Sequence, residues 1–64
     1  MKINKEKLQI AMGNAKMTTN QLALKSGISR ISILAYMNNT RNPKPITVGK
    51  IADVLNVKVE DLIE

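Results

Sequence analysis

Twelve residues, Thr18 to Ser29, restrict the backbone of this chain more tightly than any other stretch; they read T-T-N-Q-L-A-L-K-S-G-I-S. The Thr18 hydroxyl can accept from the Gln21 amide while the Gln21 side chain reaches back to the Thr18 amide, the reciprocal pair that opens a helix. Gly27 supplies the positive φ that a tight helix exit requires. Ser29 stands two positions later as the next N-cap. The stretch therefore predicts a helix of about eight residues, a three-residue turn containing glycine, and a second helix headed by serine, which are the proportions of a helix-turn-helix. Generic helical bundles also contain such turns, so spacing alone does not settle the matter.

The remaining pattern is helical as well. Asn4 can cap a first helix whose Leu8, Ala11, Met12 and Ala15 recur at spacings of three and four, with Gly13-Asn14 weakening its end. The helix after Ser29 places Ile33, Tyr36 and Met37 on an inner face and Arg30, Ile31, Leu34 and Ala35 on the outer side. Asn38-Asn39 tolerate the left-handed region and stop it, and Arg41-Asn42-Pro43-Lys44-Pro45 forms an extended basic turn because residues before proline avoid αR. A fourth helix opens at Thr47 or just before it and carries Val48, Ile51, Ala52 and Leu55 on one stripe, ending at Asn56. Val59, Leu62 and Ile63 suggest a last short helical turn that closes the core or meets another subunit. No stretch alternates with period two, so no sheet is expected. Sixty-four residues cannot be divided into two cores. The expected architecture is thus all-α, a compact bundle of about five short helices forming a single domain over residues 1–64.

Composition narrows the chemistry. The chain contains neither Cys nor His, which removes disulfides, the usual zinc sites, thiolate nucleophiles and imidazole bases. No cofactor, metal or small-molecule ligand is expected, and no enzymatic activity: Asp53, Glu60, Asp61 and Glu64 gather near one end but beside no nucleophile. No apolar run approaches the roughly 20 residues of a membrane span, and the start of the chain lacks a signal-peptide core, so a cytoplasmic protein with no membrane partner is expected.

Charge is distributed unevenly. From Met1 to Ala52 nine Lys or Arg residues face Glu6 alone, a balance of +8, whereas Asp53 to Glu64 sets Lys58 against four acids, a balance of −3, which together make the net +5. Between Lys7 and Asp53 no carboxylate interrupts Lys16, Lys25, Arg30, Arg41, Lys44 and Lys50. Solubility is served equally well by mixed signs; an acid-free stretch of this length favours a polyanionic partner.

The run M-T-T-N-Q-L-A-L-K-S-G-I-S-R-I-S-I-L-A-Y-M-N-N-T-R-N-P, followed by I-A-D-V-L-N-V-K-V-E-D-L-I, resembles the phage repressor and Cro family of helix-turn-helix proteins, the XRE family, over about Leu8 to Ile63. Leu22-Ala23, Gly27, Ile28-Ser29-Arg30, Ile33, Asn42-Pro43, Ile51-Ala52, Leu55 and Val57 carry the resemblance. The chain departs from the family pattern in three respects, at four positions. Met12 and Met37 stand where an Arg in the first helix usually meets a Glu at the end of the recognition helix; replacing both members of a buried ion pair is often neutral. Asn39 replaces the usual glycine, and Lys58 a capping Ser or Thr, so the last helix is expected to fray.

The resemblance implies a lambda-repressor-like DNA-binding domain whose second motif helix lies in the major groove of double-stranded DNA. Arg30, Ile31, Ser32 and Ala35 would face base edges, Arg30 offering a fork to guanine and the apolar pair reading thymine methyls. Thr19, Ser29, Asn38, Arg41 and Lys44 would hold phosphates, with Lys16 and Lys25 as weaker candidates. Leu34 sits where the family is usually polar, and partial packing against the fourth helix or the basic turn would account for it. One such module has few base contacts, so a homodimer on a palindromic operator is expected, joined through Val57, Val59, Leu62 and Ile63, which as ordinary core would need no partner. The function implied is sequence-specific transcriptional regulation of Cro/C1 type, without a catalytic role and of a kind carried by phages or mobile elements. The rival class is a protein-interaction module, an antitoxin or adaptor that uses the same helical face without specific DNA. With no ligand or protease segment in the sequence, control is expected through concentration, oligomerisation or another protein.

Overall fold

Each helix in the computed structural model, which describes residues 1–64, begins where the first orphaned backbone donors find an acceptor or where a proline removes one of them. Asn4 Oδ1 accepts from the Lys7 amide at 3.0 Å and starts α1, Lys5–Asn14. At Thr18 both halves of the reciprocal cap are made, with Gln21 N–H donating to Thr18 Oγ1 at 3.1 Å and Thr18 N–H donating to Gln21 Oε1 at 2.8 Å. They open α2, Thr19–Ser26. Gly27 ends it at φ +73°. Ser29 Oγ then accepts from the Ser32 amide at 3.1 Å and opens α3, Arg30–Met37.

The fourth helix opens just before Thr47, as expected, but it takes in Pro45, expected in the extended basic turn. α4 spans Pro45–Leu55, two residues earlier than Thr47, because Pro45 occupies its first turn, where a missing N–H costs nothing and φ is already helical. Asn56 closes it in the left-handed region at φ +58°. The first helix runs through Gly13-Asn14 to an Ala15 cap, and Lys16 takes the left-handed turn at φ +54°. Asn39, at φ +58°, makes the turn after α3 that glycine would otherwise make.

Four α-helices are formed, and the expected fifth is a three-residue 3-10 turn, Val59–Asp61. Residue 58 has no capping side chain; instead Asp61 Oδ2 accepts from the Lys58 amide at 3.0 Å. No strand forms, but Ile3 and Ile63 make an isolated antiparallel bridge. Around it Asn4 N–H donates to the Leu62 carbonyl at 2.8 Å, Glu64 N–H to the Lys2 carbonyl at 3.1 Å, and Lys7 Nζ to the Ile63 carbonyl at 3.0 Å.

These elements enclose one core: Leu8, Ala11 and Met12 from α1, Leu22 from α2, Ile33 and Met37 from α3, and Val48, Ile51, Ala52 and Leu55 from α4. Ile3 and Leu62 complete it from the joined terminal segments. Tyr36, expected on the inner face, is only half-buried at the core's edge. Leu62, expected at a dimer surface, is 0% exposed and lies wholly within the core. It offers nothing to a second copy. α2 packs against both α3 and α4, which fixes the angle at which α3 leaves the body.

Two stability measurements check this packing. Leu22→Ala should lower the unfolding free energy by about 2–5 kcal/mol in chemical denaturation, as expected for a fully buried leucine. Gly27→Ala should lower it by about 1 kcal/mol, because an L-residue is strained at positive φ.

Candidate nucleic-acid interface

The outward face of α3 is set by what its other face buries. Ile33 and Met37 point into the core, and Ile31 and Ala35, each two positions from Ile33, fall about 200° around the helix from it. Ile31 is 77% exposed, Arg30 is exposed at the head of the helix, and Ala35 is half-buried. Ile31 and Ala35 therefore share the side that faces away from the protein, and Arg30 reaches solvent from the first residue of the helix.

Ser32 and Tyr36, one turn apart, form one flank of that side. Spacing along the sequence does not reveal their surroundings. After Asn39 the chain turns back so that Thr40 N–H, Thr40 Oγ1–H and Arg41 N–H converge on the Ala35 carbonyl at 3.0, 3.2 and 3.4 Å. Folded this way, the turn sends the Arg41 side chain along α3. Its Nη2 donates to Ser32 Oγ at 2.8 Å, and its guanidinium lies 5.6 Å from the centroid of the Tyr36 ring. Ser29 Oγ–H also donates to Ser32 Oγ, at 2.9 Å. The Ser29 hydroxyl is thus occupied by its cap and by Ser32, and both acceptor positions of Ser32 are filled.

On the opposite flank Leu34 lines a groove with Lys5, Gln9, Met12, Met17 and Met37. It belongs to the α1 side of α3 rather than to α4 or the basic turn. The paired methionines stand at the floor of this groove, nearly buried, where flexible thioether chains fill an irregular gap. Thr19 and Asn38 lie on its rim. The basic turn beyond Asn39 is pinned by Pro43, which is buried, and by the N-terminal ammonium, which donates to the Pro43 carbonyl at 3.4 Å. Lys44 is exposed beside it as the backbone cap of α4. Lys16 and Lys25 are exposed at the ends of α1 and α2.

The C-terminal residues Val57, Val59 and Ile63 are half-buried against the core, leaving partial apolar surface. Larger exposed apolar side chains occur elsewhere: Leu24 at 84%, Ile46 at 70% and Ile10 at 63%. Leu24 and Ile10 fall off the i, i+3, i+4 stripes of their helices, which is the signal that marks them as outward. No group of three His, Cys, Asp or Glu side chains comes together, and no helix is long and apolar enough to cross a membrane.

A family profile described as helix-turn-helix matches residues 8–62. The chain is 49% identical over 49 residues, 75% of its length, to the uncharacterized HTH-type transcriptional regulator RghRB of Bacillus subtilis (strain 168). It is 39% identical over 59 residues, 91% of its length, to the HTH-type transcriptional repressor RghR of the same organism. The chain spans 35% and 44% of the lengths of these two relatives. It is also 36% identical over 64 residues to the uncharacterized HTH-type transcriptional regulator YvzC of that organism, covering 89% of this chain and 83% of the relative. No solved structure matches significantly.

The methionine pair generates a stability cycle. Met12→Arg and Met37→Glu should each destabilise by about 1–3 kcal/mol, since each puts one uncompensated charge in a largely buried site. The double variant should recover part of the summed loss, giving a coupling of about 0.5–3 kcal/mol in denaturation experiments.

Proposed function

The chain belongs to the XRE-type helix-turn-helix family of DNA-binding proteins, and on that premise we propose that it is a transcriptional regulator, a repressor of Cro type that binds a palindromic operator as a homodimer. Residues 1–64 act as one DNA-binding domain. The observation that carries this reading is the coincidence of an outward α3 face with a stretch, Lys7 to Ala52, that holds no carboxylate. A duplex carries one negative charge per roughly 1.7 Å, and a surface free of acid meets it without repulsion.

With α3 in the major groove, Arg30 reads guanine through its fork, and Ile31 and Ala35 contact thymine methyls. Ser32 stands beside them. Phosphates approach Thr19 and the free amides at the starts of α2 and α3, where the helix dipoles favour anions; Ser29 contributes through that helix start, since its hydroxyl is engaged. Beyond the recognition helix Asn38 offers its neutral amide to a phosphate, and Lys44 and Arg41 carry the positive charge of the rim. The similarity to RghR, a transcriptional repressor, favours repression over activation. Half-sites about one helical turn apart suit a two-fold pair joined through the exposed parts of Val57, Val59 and Ile63.

One observation favours a second reading. Ile31 and Leu24 are large, apolar and more than three-quarters exposed, which suits a protein partner as in an adaptor or antitoxin. Selection from a randomised duplex pool separates the two: the regulator returns an enriched palindrome, whereas the adaptor returns none and binds bulk DNA no better than a like-charged control protein. Within the regulator reading, Arg30→Ala should relax preference at one base pair per half-site, a loss of about 1–3 kcal/mol of discrimination. Lys44→Ala should weaken all sequences alike and flatten the plot of log K against log salt by about 0.9 for each phosphate that the lysine neutralises.

A further inference from the structure

We propose that Arg41 is a second specificity-determining arginine, a base reader held against the recognition helix by Ser32 and Tyr36 rather than a clamp on the backbone; this rests on the DNA reading above.

A phosphate clamp needs charge and reach, and an unrestrained side chain such as Lys44 supplies both. Arg41 is restrained at three points. The turn at Asn39 ties its own amide to the Ala35 carbonyl, Ser32 Oγ takes one guanidinium N–H at 2.8 Å, and the Tyr36 ring lies under the cation at 5.6 Å. Guanidinium carries five N–H donors, so one bond to Ser32 leaves a forked set free on the flank of α3. That flank borders the outward face formed by Ile31 and Ala35 and enters the groove with it.

The restraint also redefines Ser32. Its oxygen accepts from both Ser29 and Arg41, which commits its acceptor capacity to positioning and leaves only its own proton to donate. Tyr36 acquires a role for its half-buried ring: it is a platform, fixed from behind by the core, on which a long and otherwise mobile side chain loses less entropy when it bonds a base. The scarcity of polar readers on α3 itself is thereby relieved by a residue that follows the helix in sequence. The chemistry favours guanine, whose O6 and N7 match the fork.

The test is selection from a randomised duplex pool with the full chain, run in parallel for the wild-type protein and for R41A, R41K, S32A, Y36F and Y36L, each checked for cooperative thermal unfolding. R41A should lose discrimination at one base pair per half-site, distinct from the pair affected in R30A, by roughly 5- to 150-fold, with other positions unchanged. R41K should fail to restore it, because an ammonium is a point donor. Y36F keeps the ring face and should retain the preference, whereas Y36L and S32A should weaken it at the same base pair. A uniform loss of affinity in R41A, with the selected pattern intact and the salt slope reduced by about 0.9, would make Arg41 a phosphate clamp and overturn the inference. Loss at a different base pair in S32A would overturn the positioning role. If the wild-type protein selects no pattern, the DNA reading itself fails and this inference with it, an outcome distinct from a wild-type pattern that R41A leaves untouched.

Discussion

Eight residues make a helix too short to persist alone in water, so α3 exists only while Ile33 and Met37 remain buried. Everything presented outward depends on that anchoring. The two core side chains fix the rotation of the helix, and the packing of α2 against α3 and α4 fixes its tilt. The caps then decide where it begins and ends. Because the inward side is filled by apolar side chains and no buried side-chain polar atom lacks a partner, the outward side is free to carry residues that contribute nothing to stability.

The Met12 and Met37 pair illustrates how such a core can vary without losing its function as a support. Two thioethers occupy the junction of α1 and α3 and leave a shallow groove bordered by Leu34 and Met17. Desolvation penalises an ion pair at such a junction, and apolar replacement avoids that cost while giving up the directional bonds that a pair would supply. Leu34 then completes the apolar lining, which accounts for a leucine on the border of an otherwise outward face.

How much of this is legible in the sequence divides by the range of the interactions. The Thr18 and Gln21 pair, the Ser29 and Asn4 caps and the left-handed Gly27 all join residues within four positions of one another, so a fixed spacing reveals them. The apolar stripes of α1 and α4 are readable for the same reason. Pro45 is legible in principle as a first-turn residue, but the extended bias imposed on Lys44 points to a turn instead. What spacing cannot show is contact between distant segments. Ile3 and Leu62 are core residues only because the terminal segments pair from opposite ends of the chain. Arg41 reaches back nine positions to Ser32 through a turn whose direction depends on Asn39. Neither follows a local rule. Arg30 and Ile31 are exposed as their positions predict, while the size of Tyr36 suggests core although its ring serves as a surface for a cation.

The clasp between residues 2–4 and 62–64 has a topological consequence. With Lys2, Asn4 and Lys7 bonded to the carbonyls and amide of the last three residues, the backbone describes a nearly closed ring. Any polypeptide joined ahead of Met1 or behind Glu64 therefore departs from one pole of the molecule, so that two attachments would emerge as neighbours. A tether pulled from both sides would load those few hydrogen bonds first and reach the helices only after the ring had opened.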